Sequence, residues 1–124
     1  MPKRVVVLGA GATGEAFVAA LRKLDAEAEI TIVEHELVGG ECSYWACIPS
    51  KVLLRPLEAI AHARLAPGAA EAVGAVDPAR VFWWRDQIAE KDDASQAEWV
   101  AKQGAGLVRG TGSPSVTFTP SSNA

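Results

Sequence analysis

Arg4-Val5-Val6-Val7-Leu8-Gly9-Ala10-Gly11-Ala12-Thr13-Gly14 is the stretch that decides the fold. The β-branched run Arg4 to Leu8 predicts a strand buried on both faces of a parallel sheet, and it stops abruptly at Gly9. From Thr13 to Leu24, the residues Ala16, Phe17, Ala20, Leu21 and Leu24 recur at three- and four-residue steps. That spacing predicts an amphipathic helix with those residues inward. Ile30-Thr31-Ile32-Val33 supplies a second strand. A strand, helix, strand unit of this length implies a right-handed parallel crossover, and so an α/β domain.

Gly9, Gly11 and Gly14 have the G-x-G-x-x-G spacing, placed after a strand and at the opening of a helix. In that context Gly9 allows a tight turn, Gly11 the approach of a pyrophosphate, and Gly14 close packing of helix on strand. Free backbone N–H groups at the helix start, around Ala12 and Thr13, attract the phosphate without a basic side chain. Glu34 ends the second strand about twenty residues beyond the last glycine, where a carboxylate can accept hydrogen bonds from ribose hydroxyls. The bland reading is a packing turn with a polar strand end. The motif does not choose between NAD and FAD, because both carry an adenosine and a pyrophosphate.

The 124 residues form one domain's length, with 49% apolar and 22% charged residues. A net charge of -3 points to neither nucleic acid nor an anionic membrane as partner. The apolar run before Gly9 is too short for a signal peptide or a membrane span, so a cytoplasmic location is the default. Further on, Leu54, Leu57, Ala61 and Leu65 mark a helical face that Pro56 should bend or interrupt. Asp77-Pro78 predicts the capped start of a second long helix, with Val81, Trp84, Ile88, Trp99 and Val100 as its buried side. Glu90-Lys91-Asp92-Asp93 reads as solvated or irregular. Phe82, Trp83, Trp84 and Trp99 read as core packing. Leu107 to Gly110 and Val116 to Thr119 read as short strands joined by a Gly-Ser-Pro turn, a β-hairpin, with a frayed tail at 120–124.

Cys42 and Cys47 lie in Gly39-Gly40-Glu41-Cys42-Ser43-Tyr44-Trp45-Ala46-Cys47-Ile48-Pro49-Ser50-Lys51. In a regular helix residues five apart are separated by about 7.5 Å along the axis, whereas a disulfide needs Cα atoms about 4.4–6.8 Å apart. A disulfide here therefore requires a helix that starts late or is distorted, and Pro49 would impose such irregularity. Lys51 and a helix N-terminus could stabilise a thiolate. By spacing alone such a pair is more often two reduced core cysteines than a redox couple. Zinc lacks a second ligand pair: His35 and His62 have no ligand spacing with the cysteines and read as surface residues, so no metal site is expected.

Together, the glycine loop, the Glu34 strand end and Gly-Gly-x-Cys-x-x-x-x-Cys-Ile-Pro-Ser-Lys resemble the pyridine nucleotide-disulfide oxidoreductases. The resemblance implies a Rossmann-like domain whose first glycine loop holds FAD, with NADH or NADPH as co-substrate of a full-length homodimer. It implies a Cys42–Cys47 redox disulfide, with Cys47 as the flavin-proximal charge-transfer thiol, Cys42 as the interchange thiol and Lys51 as the cation beside the flavin ring. Gly40 and Glu41 of the cysteine segment, and Gly110 and Thr111 passing the adenine, join the implied cofactor site. Tyr44 and Ala46 stand where the family commonly has Asn and Gly, so packing between the cysteines differs.

Residues 1–119 thus read as the N-terminal part of an FAD-binding domain, without the family's nicotinamide-binding and dimerisation domains. Gly104-Ala105-Gly106 followed by Gly110 imitates a second glycine loop but precedes a strand instead of following one. The expected result is a fragment that is inactive alone, has exposed apolar surface and binds FAD weakly. Competing readings are a stand-alone nucleotide-binding module with structural cysteines, and a plain NAD-dependent dehydrogenase domain.

Overall fold

The structure is a computed structural model and describes residues 1–115. Strand β1 (Arg4–Leu8) leads into helix α1 (Ala12–Leu24), strand β2 (Glu29–Glu34), the short α2 (Gly40–Tyr44) and the long α3 (Cys47–Arg64). A 3-10 turn (Ala70–Ala72), α4 (Pro78–Ile88), α5 (Ala94–Lys102) and strand β3 (Gly106–Arg109) complete it. The strands form one parallel sheet in the order β1-β2-β3, with Val7 opposite Ile32 and Ile32 opposite Leu107.

The core lies on one face of that sheet. Ile30 and Ile32 of the central strand pack with Val18 of α1, Val100 of α5, Ala10, Ala28 and Val38, all buried. Alternation along a strand sends every second side chain the other way. Val6, Leu8 and Val108 are accordingly about half or more exposed. The expectation that β1 is buried on both faces is therefore corrected.

The predicted inward face of α1 is also displaced. Val18 is its buried residue and Leu21 is partly buried, while Phe17 and Leu24 are exposed together with Ala16 and Ala20. Spacing identifies an apolar stripe but not which sheet surface is available to it. Arg22 fastens this end of the layer: its guanidinium donates to the carbonyls of Gln103 at 2.8 Å, Ala26 at 2.6 Å and Ala28 at 3.0 Å. One side chain thereby satisfies acceptors after α1, before β2 and after α5.

Helices α3 and α4 pack on each other. Asp77 caps α4 as expected, accepting from the N–H groups of Ala79 and Arg80, with Pro78 as the first helical residue. The long helix predicted to run on to Val100 is instead two, broken at residues 89–93. That break separates α4 from the core, which only α5 joins. Leu54, Leu57 and Leu65 of the α3 region and Phe82, Trp83 and Ile88 of α4 are about half or more exposed, and Trp84 is more than a third exposed. Core packing was expected for Phe82, Trp83 and Trp84 and burial for Ile88; of the aromatic group only Trp99 packs against the core cluster. α3 runs without interruption through Pro56. β3 pairs with β2 in parallel, and the hairpin partner proposed at Val116 to Thr119 lies outside the described residues.

A Cβ at Gly14 would collide with the carbonyl oxygen of Gly9, backbone against backbone. Gly14→Ala is expected to lower stability by about 2 kcal/mol. Gly74, where a Cβ meets nothing within 4 Å, is the control: thermal unfolding of Gly74→Ala should stay within about 0.5 kcal/mol of the parent.

Candidate functional site

The glycine loop forms where β1 ends. Gly9 has φ +95°, a conformation that favours glycine, and its N–H extends the ladder by donating to the Val33 carbonyl at 2.8 Å. Ala10 is buried; its carbonyl accepts from Gly39 N–H at 2.8 Å. Gly11 caps α1 without a side chain, and the N–H of Glu15 donates to its carbonyl at 3.0 Å. The N–H groups of Ala12, Thr13 and Gly14 precede that first helical bond, so the end of α1 presents uncapped donors and the positive end of its dipole.

Glu34 sits behind this loop, 6% exposed. One carboxylate oxygen accepts from Ala10 N–H at 2.7 Å and the other from Glu36 N–H at 2.8 Å. Burial pushes its carboxyl up, but the backbone hydrogen bonds from Ala10, Glu36 and His35 outweigh this and hold it below the usual range. The residue expected to meet a ribose is therefore also a brace of the glycine loop. A carboxylate has about four lone-pair directions, so acceptor capacity is left over.

The cysteine segment meets the loop through glycines. Gly39 and Gly40 have φ +109° and +63°, and a Cβ on Gly40 would lie 2.7 Å from the Gly11 Cα. α2 carries Cys42 and α3 opens on Cys47; the two are joined in a disulfide with Cα atoms 4.6 Å apart. The break required for that approach is at Trp45 and Ala46, whose N–H groups both donate to the Glu41 carbonyl at 2.8 Å. Pro49 does not cause it. Pro49 is the buried third residue of α3, a first-turn position where a missing N–H costs no helical bond. Lys51 lies one turn beyond Cys47, exposed and without an ion pair among the described residues; the Glu41 side chain is exposed too. His35 and His62 are both exposed.

The end of β3 completes the arrangement. Gly110 N–H donates to the Glu34 carbonyl at 2.8 Å, and a Cβ at Gly112 would press on the side chains of Leu8 and Val33. Residues 110–112, with exposed Thr111 among them, thus cross the carboxyl ends of the strands. Sequence reasoning missed the ties beneath. Asp93 accepts from Val38 N–H at 2.7 Å and from Arg109 at 2.6 Å, while Arg109 also donates to the Glu36 carbonyl at 3.0 Å. The Arg109 hydrogen bond leads in holding the Asp93 carboxyl below its usual range, against burial. The only sequence signal was the charged run at residues 90–93, which resembles any solvated turn.

The sequence profile of the family described as Pyridine nucleotide-disulphide oxidoreductase matches residues 3–118. The chain belongs to this family. Among curated members, dihydrolipoyl dehydrogenase of Halobacterium salinarum is 32% identical over 111 residues, covering 86% of this chain and 22% of that protein. Mercuric reductase of Serratia marcescens is 40% identical over 63 residues, 51% of this chain and 13% of its own length. Among solved structures, LpdA of Mycobacterium tuberculosis superposes with TM-score 0.65 at 22% identity, over 88% of this chain and 24% of LpdA. The flavoprotein disulfide reductase RclA of Escherichia coli, as its copper(II) complex, superposes with TM-score 0.64 at 18% identity, over 90% of this chain and 22% of RclA. The chain therefore spans about a quarter or less of the relatives it matches. Family membership and the α/β parallel-sheet fold agree with the sequence reading.

Two buried or half-buried carboxylates with depressed pKa values set the acid response. Glu34 and Asp93 bind protons less readily folded than at their ordinary values of 4.5 and 3.8. Their stabilisation is present above those values and lost as pH falls through the lower folded ones. Thermal unfolding followed from pH 7 down to pH 2 should show a loss below about pH 4.5 that is shallower in Glu34→Gln. At pH 7 that variant should be about 2 kcal/mol less stable, because an amide leaves one of the two N–H donors facing another donor.

Proposed function

We propose that this chain is the FAD-binding, disulfide-bearing part of an oxidoreductase that passes electrons from NADH or NADPH to the Cys42–Cys47 disulfide and on to a substrate. The observation that carries this reading is the backbone contact between Gly11 and Gly40, which sets the disulfide helices against a phosphate-binding loop. The fit to FAD rests on the uncapped N-terminus of α1 and on glycine backbone open to close approach. When bound, FAD supplies a carrier of two electrons between the nicotinamide and the disulfide.

The chain's own residues have separable tasks in this reading. Backbone N–H groups at Gly11, Ala12, Thr13 and Gly14 hold the pyrophosphate, Glu34 receives ribose hydroxyls with its remaining lone pairs, and Gly110 and Thr111 pass the adenine. Gly40 and Glu41 line the approach from the disulfide side. Two electrons and two protons open the sulfur–sulfur bond to two thiols. Cys47, at the N-terminus of α3, sits where the helix dipole favours the thiolate. Lys51, one turn on, adds a cation near the flavin ring. Where the substrate is itself a disulfide, Cys42 then exchanges with it, forming a mixed disulfide that Cys47 resolves.

The substrate site, the nicotinamide site and the subunit contacts of a homodimer belong to further sequence in this reading, so the 124 residues alone complete no catalytic cycle. No described helix is long and apolar enough to cross a membrane. A cytoplasmic location suits a disulfide that cycles, since lasting disulfides are rare there.

The test uses a polypeptide that carries this chain with the family's remaining domains. Two-electron reduction should produce a long-wavelength thiolate–flavin absorbance band; Cys42→Ser, which frees the Cys47 thiolate, should show that band before any reduction, and Cys47→Ser should not show it in either state. A protein without bound flavin, or with a flavin whose spectrum ignores both cysteines, would overturn the proposal in favour of a nucleotide-binding module with structural cysteines.

A further inference from the structure

We propose that Tyr44 is a positioning residue for the Cys42–Cys47 couple, holding the turn between the cysteines in the conformation that favours the disulfide. The inference rests on the redox reading of the same pair, but it concerns only the thiol–disulfide balance and needs no flavin.

Four residues separate the cysteines. Trp45 and Ala46 are exposed and Ser43 is half-buried, whereas Tyr44 is 6% exposed. Tyr44 is thus the one buried foot of the turn. Its hydroxyl donates to the Val38 carbonyl at 2.9 Å, with the Asp92 carbonyl more distant at 3.5 Å. A phenol has one proton, so the shorter contact takes it. The ring also closes on Gly39, where a Cβ would come within 3.2 Å of Tyr44 Cε2.

The acceptor is itself held. Val38 is fully buried, and its N–H donates to Asp93, which Arg109 pins at 2.6 Å. Two residues further on, Gly40 lies against Gly11. The phenol therefore ties the end of α2 to the carbonyl of a residue whose N–H is fixed by Asp93. The same turn must bring the Cys42 and Cys47 Cα atoms to 4.6 Å. A tie that keeps the turn in place when the sulfur–sulfur bond is open lowers the entropy lost on closing it. By linkage, the conformation that the disulfide stabilises stabilises the disulfide in return.

The experiment equilibrates the chain with reduced and oxidised glutathione and quantifies dithiol and disulfide forms by alkylation. The exchange balances as protein disulfide plus two glutathione thiols giving protein dithiol plus glutathione disulfide. Tyr44→Phe keeps the ring and removes the proton donor. The equilibrium should move about three- to tenfold toward the dithiol, the size expected for one hydrogen bond. Asp93→Asn, which loosens the same residue at its N–H, should shift it in the same direction, and the double variant should shift it by less than the product of the two. An unchanged equilibrium in both variants, with unfolding midpoints of the oxidised and reduced forms lowered equally, would show a purely structural role and overturn the proposal. Loss of flavin binding with this shift intact would defeat the functional reading and leave the role of Tyr44 standing.

Discussion

The backbones of Gly11 and Gly40 run so close that one added Cβ would bring carbon atoms to 2.7 Å. A β-bridge between Gly11 and Gly39 and the hydrogen bond from Gly39 to Ala10 hold the two segments in that position. Everything of chemical interest hangs from this contact. The loop that presents N–H donors at the start of α1 and the segment that carries both cysteines are far apart in connectivity, with a whole strand and helix between them. A side chain at Gly40 would force them apart, and the disulfide would no longer border the donor cluster.

A buried carboxylate supports that contact from beneath. An ionised group taken out of water is costly unless hydrogen bonds replace its hydration. Glu34 receives two of them from backbone N–H groups on either side of it, Ala10 and Glu36. No apolar residue could serve, because those donors would then be buried without acceptors. Asp93 acts similarly at the next loop, joining Val38 to Arg109 and so bringing the break between α4 and α5 into the support of the cysteine turn.

The sheet is covered on one face by α1 and α5, and the α3–α4 pair stands apart with apolar residues exposed along it. Those exposed residues belong to stripes with clear helical spacing. Periodicity reports that a face is apolar, and burial then depends on whether another element is present to cover it. Here the described residues offer α4 little besides α3.

Much was legible in order along the chain. The strand ending at Gly9, the glycine spacing, the Asp77 cap and the acid at Glu34 were readable because each depends on bonding within a few residues or on a repeated spacing. The disulfide was credible only in company with those motifs, since a five-residue spacing by itself fits a regular helix poorly. What the tertiary structure alone decided is which surfaces meet. It chose Val18 over Phe17 for the core, broke the predicted long helix so that α5 and not α4 joins the sheet, and placed the cysteine break at Trp45 and Ala46 instead of at Pro49. It also brought Asp93 and Tyr44 to Val38, and Arg109 to Asp93 and Glu36. Such ties join residues up to 73 positions apart, and their partners are set by the packing of whole elements, which no local pattern of residues encodes.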